Sequence, residues 1–547
     1  MKRFLQLTLI IALAVGAVSC KKDEIINTVK EAPKDTPTVK NLPPKQKITL
    51  SASSTKPGLR VAYDASKGTD VADDNTLWEE GDSIAVYNVG VNGSRATFKL
   101  VDGAGTSYGT FEGEIEPTGN YYGIYPFSAA GDLDGTSIAI TLPATQNYAE
   151  GSFGQNAAVF AATSTIEGDD VVLHFEPLLG YLSLSLKTPA NGSRNTATSI
   201  VGDHSVGSIV LHENSLGEVA LSGNATVDMS SADYEHNIPP TLSVAPGGSL
   251  DVTLNCSPSV QLTEDSIEFI IAVPAGAFRK GLCATVNGTD GKKIMSLATT
   301  TASDTITANY ITQLPAQDVY NIEDVEGRRY PVAKIGSQIW MGENMQSLTY
   351  EEGTSGKENN ITITPAASNP EPHYYFEPNY GYLYNLAAAA GICPVPDPDD
   401  DKKTIFPPTG YTGEKQQGIC PNGWHVPSIS ELYGGLQAYV EEEGVRDGRI
   451  SGAWMRTVSG WADIESYDFL QGTDDFGFSA TPAGYGIYSN EEVGWGAHFL
   501  TATLIDDYSI WGLMFHSIDV GYDDEFGFEW WGPSTQACLA VRCLKDY

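Results

Sequence analysis

The sequence has little positive charge. Lys and Arg supply only 32 of its 547 residues, against 69 Asp and Glu, and the formal net charge is −37. Proteins bind nucleic acid largely through Lys and Arg on the phosphates, and anionic lipid headgroups repel a polyanion. The composition therefore excludes a nucleic-acid-binding protein and favours solubility on a crowded surface.

Long apolar runs are missing after the N-terminus. The run at 5–14 is too short for a confident bilayer span. It follows Lys2 and Arg3, and small residues lead from it to Cys20. This order predicts a signal peptide over residues 1–19. It resembles the lipobox of bacterial lipoproteins, which implies cleavage before Cys20, acylation of that residue and stable anchoring by several acyl chains. The segment that follows is rich in Pro, Lys, Asp and Thr and has no apolar periodicity, which predicts a flexible tether over residues 20–47.

Cysteine is scarce, and no pair has the CxxC spacing that favours zinc. Apart from Cys20, six cysteines remain, an even number that fits disulfides in an oxidising compartment. These disulfide candidates are Cys256, Cys283, Cys393, Cys420, Cys538 and Cys543. The simplest pairing joins the first two to each other and leaves three connectivities open for the last four.

Long helical periodicity is scarce as well. The first half instead carries short alternating runs separated by Gly, Asn and Asp turns, among them residues 84–87, 96–100 and 138–142. Regular short strands with polar turns predict a mainly β chain built from packed sheets. The almost continuously apolar run at 267–273 is predicted to be a central strand.

An ordered series of motifs in the first half resembles fimbrillin-like (type V pilin) proteins. The motifs are the LWEEGDSIAVY block at 77–87 and the segments at 122–126, 142–146, 174–178, 273–276 and 306–311. The resemblance implies two tandem transthyretin-like β-sandwich subdomains, which we place at residues 48–190 and 191–317.

The second half resembles a different family, the Fibrobacter succinogenes major paralogous domain. The motifs that carry this resemblance lie at 334–341, 343–345, 381–385, 419–428, 477–480 and 541–543. The resemblance implies an α+β fold like that of C-type lectins over residues 318–547. Within it, residues 429–442 are the best helix of the chain, and Ser428 or Ser430 can cap it.

Candidate ligand-binding residues lie in this second half. Glu377 and Asn379 belong to a Glu-Pro-Asn tripeptide like the one with which C-type lectins hold calcium and sugar through a cis-proline. Trp530 and Trp531 are the aromatic pair most expected to be exposed. A calcium site is left open, but no other metal, no cofactor and no catalytic residue is predicted. His425 is expected to frame the core and to donate to a backbone carbonyl.

Processing is expected at Arg60, at the edge of the first predicted strand. In fimbrillin-like pilins an arginine-specific protease removes the first strand, and a strand of the next subunit fills the groove. By this resemblance Arg60 is the candidate site, and an ordinary surface residue is the alternative.

The sequence thus predicts a non-enzymatic pilus tip or accessory adhesin that is lipid-anchored on the outer-membrane surface. Its expected partners are other pilin subunits and a host or bacterial surface glycan or protein. The lipid anchor would be its only contact with the membrane. A stand-alone surface glycan-binding lipoprotein is the leading alternative, and an enzyme on the lectin-like scaffold is the second.

Overall fold

The computed structural model describes most of the chain beyond residue 42. Its described residues are 43–547 except for gaps at 54–76, 94, 155–156, 190–203, 214–218, 235–237, 280, 300–304, 321, 366–370, 398–399, 406–410, 443–447, 463–471, 487–488, 507–508 and 517–528. Cys20 and Arg60 lie outside these residues.

In the region predicted as the first sandwich, where apolar and polar residues alternate, the described residues form ten strands. They are β1 (Gln46–Ser53), β2 (Ser83–Asn88), β3 (Ala96–Asp102), β4 (Tyr108–Ile115), β5 (Tyr121–Tyr125), β6 (Ala130–Asp134), β7 (Ser137–Leu142), β8 (Thr145–Asn147), β9 (Phe160–Glu167) and β10 (Asp170–Pro177). Seven of them close a barrel in the order β1-β10-β9-β5-β2-β3-β4. Closure leaves this sheet without an edge.

The described part of the next region supplies ten more strands. They are β11 (Gly180–Lys187), β12 (Ser205–Glu213), β13 (Gly223–Asp228), β14 (Thr241–Val244), β15 (Asp251–Gln261), β16 (Ile267–Val273), β17 (Leu282–Asn287), β18 (Lys293–Ala298), β19 (Ile311–Gln313) and β20 (Gln317–Asp318). Strand β7 pairs with β13, and β8 pairs with β15. The two regions predicted as separate sandwiches therefore share two sheets.

The rest of the chain forms short strands with long connections. They are β21 (Ile322–Glu323), β22 (Arg329–Tyr330), β23 (Val332–Ile335), β24 (Gln338–Met341), β25 (Thr364–Pro365), β26 (His373–Glu377), β27 (Gly381–Tyr384), β28 (Val395–Asp397), β29 (Asp400–Ile405), β30 (Trp424–His425), β31 (Tyr485–Gly486), β32 (Asn490–Glu491), β33 (Gly496–Leu504), β34 (Ile510–His516), β35 (Glu529–Trp531) and β36 (Leu544–Lys545).

One sheet continues across the predicted domain boundary at 317/318. It has nine strands in the order β30-β36-β24-β23-β18-β17-β12-β15-β8. Strands β18 and β23 pair in parallel from Met295–Val332 to Ala298–Ile335. One hydrophobic core follows this sheet and includes Leu254 from the earlier region and Val541 from the later one. The C-terminal region is therefore fused to its neighbour through backbone hydrogen bonds.

Helices are few and short where the structure describes the chain. They are α1 (Ser355–Glu358), α2 (Leu386–Ala390), α3 (Ile429–Glu431), α4 (Ala438–Glu442) and α5 (Gly448–Met455), with a 3-10 turn at Phe127–Ala129 and a π-helical segment at Leu432–Gln437. Together α3, the π-helical segment and α4 confirm the predicted helix at 429–442. Ser428 caps it, because its side chain and that of Glu431 form a reciprocal capping box.

The structure confirms the prediction of a mainly β chain. The apolar run at 267–273 is strand β16, which is buried over its last five residues. The predicted central position is wrong, because β16 pairs only with β11 among the described strands and lies at the edge of its sheet. Trp340 and Trp424, which lie in the motifs at 334–341 and 419–428, are buried. Within the described residues, no helix has the length and apolarity needed to cross a bilayer.

Candidate functional site

Strand β1 fills a slot in the barrel wall between β4 and β10. It runs antiparallel to β4 through eight residue pairs, from Gln46–Ile115 to Ser53–Tyr108. It runs parallel to β10 through three pairs, which end at Ser53–His174. Among the described residues, the next strand, β2, begins at Ser83. Strand β1 is thus paired with the barrel along both of its edges.

The inner face of β1 supplies apolar side chains to the barrel core. Leu50 and Ala52 are 1% and 0% exposed, and Ile48 packs against the same core. Burying a leucine side chain stabilises a protein by about 1.5–3 kcal/mol. On the outer face, Lys47 forms an ion pair with Glu112 at 2.6 Å, which contributes little at such exposure. Burial of apolar side chains and backbone pairing are hence the main interactions that stabilise β1 in the slot.

The residues of β4 opposite β1 alternate between small and large. Leu50 faces Phe111, whereas Ala52 faces Gly109. A Cβ atom on Gly109 would lie 2.8 Å from the indole Cδ1 of Trp78 and 2.8 Å from Leu100 Cδ1. The indole therefore occupies the space inside the barrel next to the Ala52–Gly109 pair.

The C-terminal end of β1 meets a buried histidine. Ser53 Oγ and His174 Nδ1 share a hydrogen bond of 2.9 Å, and His174 Nε2 lies 2.7 Å from Thr165 Oγ1 on β9. The His174 ring stacks on Tyr234 at a centroid distance of 3.7 Å. Ser53 and His174 are 2% and 5% exposed. A hydrogen bond to His174 thus positions the last residue of β1, and Tyr234 stacks on that histidine. The sequence gives no local signal for it, because Tyr234 is distant in the chain.

The framework motifs of the C-terminal region converge on one buried arginine. Arg542 donates to the Phe478 carbonyl, to the Met341 carbonyl at 3.2 Å and to Asn344 Oδ1 at 2.7 Å. Its guanidinium lies over the rings of Phe478 and Phe499, 4.5 and 5.1 Å from their centroids. Burial lowers its pKa to about 9. These motifs therefore build a structural centre and not an open ligand site.

His425 is clamped between two carboxylates. Its Nδ1 lies 2.6 Å from Asp546 Oδ1, and its Nε2 lies 2.9 Å from Glu431 Oε1. Burial alone would lower its pKa, but the hydrogen bonds and charges of the two carboxylates raise it. Burial would likewise raise the pKa of Glu431, which His425 and Ser428 bring down to about 2. The predicted core role is consistent with this geometry, but the expected backbone carbonyl is wrong, because carboxylates take its place.

Ionic contacts surround the seam between β18 and the C-terminal region. Lys293 Nζ donates to Ser479 Oγ at 2.6 Å and lies 3.5 Å from Asp474 Oδ2. Burial raises the pKa of Asp474, and Lys293 partly offsets that rise. Gly477 packs so closely that a Cβ atom there would lie 2.1 Å from Ser296 Cβ. The Gly-Phe-Ser motif at 477–479 thus docks onto the preceding region.

The Glu-Pro-Asn tripeptide lies in the turn between β26 and β27. The Tyr380 amide donates to the Glu377 carbonyl at 3.1 Å. Glu377 is buried whereas Asn379 is exposed. The cis peptide bonds of the described residues are Tyr125–Pro126 and Ser257–Pro258, so the cis-proline expected after Glu377 is wrong. No group of three or more His, Cys, Asp or Glu among the described residues is arranged to hold a metal ion.

Aromatic exposure near this turn was not predicted. Phe376 is 50% exposed, and its ring lies 5.1 Å from that of Tyr382 on the neighbouring strand. The sequence offered no signal for it, because residues 374–376 are three consecutive aromatics with no alternation along β26. Trp530 and Trp531 belong to strand β35, which pairs with β34, but their side chains lie outside the described residues.

The cysteines form one disulfide in the described residues. It joins Cys420 to Cys543, one of the pairings that the sequence leaves open, but the second bond that this connectivity predicts, Cys393–Cys538, is wrong, because both thiols are free. The predicted Cys256–Cys283 bond is wrong, because both residues are buried free thiols. Strand β12 lies between the strands that carry them, and neighbouring strands are about 4.8 Å apart, which is too wide for a disulfide across two spacings. Cys393 and Cys538 are free as well.

Comparison with known proteins gives one family match and several distant structural likenesses. Residues 333–545 match the model of the Fibrobacter succinogenes major domain family. A candidate cell adhesion protein from Bacteroides uniformis is 15% identical over 50% of this chain and 93% of its own, with a TM-score of 0.30. A fimbrial protein from Bacteroides ovatus is 9% identical over 92% and 100%, with a TM-score of 0.23.

The fimbrial anchor protein Mfa2 from Porphyromonas gingivalis is 9% identical over 54% of this chain and 97% of its own, with a TM-score of 0.22. At such TM-scores the likeness does not establish a common fold. No curated protein sequence matches the chain. The family match agrees with the motifs that surround Arg542 and Cys543, and residues 333–545 are therefore a Fibrobacter succinogenes major domain.

Proposed function

We propose that this protein is a surface adhesin that joins a pilus by strand exchange at the β1 slot. In this proposal the chain is held on the outer membrane through acylated Cys20. Cleavage after Arg60 frees β1, and a strand from another pilin subunit takes its place. The C-terminal domain then meets a surface glycan or protein. The mainly β architecture and the acidic composition suit such a role outside the cell.

The position of β1 at the seam of the closed barrel carries the proposal. Loss of this strand would leave the facing edges of β4 and β10 without partners. Unpaired strand edges are templates for an added strand, which gains affinity from main-chain hydrogen bonds and specificity from alternate side chains. The slot therefore has the two edges and the apolar floor that a replacement strand needs.

In this proposal the chain sits at a pilus tip or in an accessory role, and the pairing of strand β36 is consistent with it. Strand β36 pairs with both β24 and β30, and the preceding Cys543 is bonded to Cys420. A segment held in this way is not free to enter the slot of a neighbouring subunit. The chain would thus accept a strand without offering this one in return.

Cleavage and capture by pilin subunits test the proposal. The chain from Lys21 onward is treated with an arginine-specific protease and mixed with pilin subunits of the source bacterium. We expect a cut after Arg60 and stable complexes of the cut protein alone. The Arg60→Lys variant is the matched control, because it keeps the charge and resists the protease. Equal capture of cut and uncut protein, or none of either, contradicts the proposal.

The rival function is glycan binding without pilus assembly. The exposed Phe376 beside Tyr382 favours it, since aromatic faces are apolar surfaces on which ligands stack. A glycan array probed with the intact, uncut chain and with its Phe376→Ala variant separates the two functions. Specific sugar binding that Phe376→Ala abolishes, together with no pilin capture, favours the rival.

A further inference from the structure

We infer that the β1 slot selects its occupant at two adjacent positions: it takes a strand with a small residue at the site of Ala52 and a hydroxyl residue at the site of Ser53. This inference rests on the proposed function and names the class of strand that the slot accepts. That strand runs antiparallel to β4 and carries large apolar residues at the sites of Ile48 and Leu50. It ends in a small residue followed by a residue with a hydroxyl group.

The small position follows from how the barrel floor is filled. Ala52 has no exposed surface, and its partner on β4 is Gly109. The indole of Trp78 lies against this pair, and edge-to-face contacts with Phe111, Tyr125 and Phe175, at centroid distances of 5.0, 5.6 and 5.5 Å, hold it in place. A larger side chain at this site would have to displace a ring packed against three others, and close-packed interiors resist such overpacking.

The hydroxyl position follows from the surroundings of His174. Ser53 faces away from the barrel core, because neighbouring residues of a strand point to opposite sides. It is nevertheless buried, and its Oγ bonds to Nδ1 of His174. A strand without a hydroxyl here would leave that ring nitrogen without this partner, and a buried polar group that loses its partner is costly. Tyr234 stacks on the ring and limits its escape toward solvent.

The two positions act on different faces of the incoming strand. The site of Ala52 excludes bulky residues inside the barrel, and the site of Ser53 favours a hydrogen-bonding residue on the outside. Specificity commonly combines an unfavourable contact with a favourable one in this way. A generic alternating strand fulfils neither requirement, so the slot distinguishes its proper occupant from other exposed strands.

Peptide affinities test the inference. The chain from Lys21 onward is cut after Arg60 and freed of the released strand under mild denaturant. It is then titrated with fluorescent peptides of residues 43–54. We expect the natural peptide to bind, and Ala52→Leu and Ser53→Ala each to bind about ten- to a hundredfold more weakly. Ser53→Thr, which keeps the hydroxyl, and Thr49→Ser, at an exposed position, should stay within about threefold of the natural peptide.

A reciprocal change in the protein identifies the residue that reads the hydroxyl. In the His174→Phe variant the preference for Ser53 over Ser53→Ala should vanish, whereas the penalty for Ala52→Leu should persist. His174→Asn, which retains a hydrogen-bonding side chain, should keep part of the preference and serves if the first variant does not fold. Equal binding of all peptides overturns the inference and leaves strand exchange intact. Failure of the natural peptide to bind overturns both.

Discussion

Replacing Cys420 and Cys543 together by alanine should lower the stability of the C-terminal domain substantially. The bond closes a loop with a sequence separation of 123 residues. In the chain-entropy treatment, opening a loop of this length returns about 5 kcal/mol of conformational freedom to the unfolded chain. Both residues are fully buried, so reduction of the folded protein should be slow.

Urea unfolding followed by tryptophan fluorescence measures this loss. Trp424 follows Cys420 in the chain, and Trp340 is paired with Leu544 next to Cys543, so both buried indoles report on the bonded region. We expect the double variant to unfold at a lower urea concentration by up to about 5 kcal/mol in free energy. A reductant present during unfolding should lower the unfolding free energy of the natural protein to that of the double variant.

Cys393→Ala is the matched control, because that thiol is free and only half-buried. It should change the free energy of unfolding by no more than about 1 kcal/mol. The reasoning is refuted if the double variant stays within that range of the natural protein without reductant. It is also refuted if reductant leaves the natural protein unaffected, since the loop would then not be closed by this bond.

Two further perturbations test the framework of the same domain. Because the pKa of His425 is raised in the folded protein, its charged form contributes stability that is complete below pH 6.5 and is lost as the pH rises through the raised pKa. Because the pKa of Glu431 is lowered, its ionised form contributes stability that is complete above pH 4.5 and is lost as the pH falls toward 2. The thermal unfolding temperature should therefore fall toward both acidic and alkaline pH. The His425→Gln variant should no longer lose stability at alkaline pH, and an unchanged alkaline loss in that variant would contradict the role of the two carboxylates. Arg542→Met leaves buried acceptors unpaired and should lower the free energy of urea unfolding by about 3–5 kcal/mol. Arg328→Met, at a half-exposed arginine, should lower it by less than about 1 kcal/mol. Equal effects of the two variants would contradict a central role for Arg542.

Local signals allowed the sequence to predict parts of the fold. The helix at 429–442 was visible because its apolar spacing and the Ser428–Glu431 capping box are set by neighbouring residues. The motifs around Arg542 identified the C-terminal family. Their physical role stayed hidden, because motif residues from 341 to 542 meet only in the folded chain.

Long-range pairing explains what the sequence did not predict. The Cys256–Cys283 bond was inferred from proximity in sequence, yet β12 inserts between the two strands. The pairing of β7 with β13, and of β18 with β23, depends on how whole regions pack. The contact of Ser53 with His174 under Tyr234 combines three distant segments and has no sequence pattern of its own.

Hydrogen exchange at the β4 amides tests the central claim most directly. In the uncut chain, the amides of residues 109–115 that pair with β1 should be protected. After cleavage at Arg60 and removal of the strand they should exchange rapidly, and a peptide of residues 43–54 should restore their protection. Persistent protection of these β1-facing amides after β1 is gone, or no recovery with the peptide, would contradict a slot made for strand exchange, whereas the β4 amides that pair with β3 should stay protected throughout.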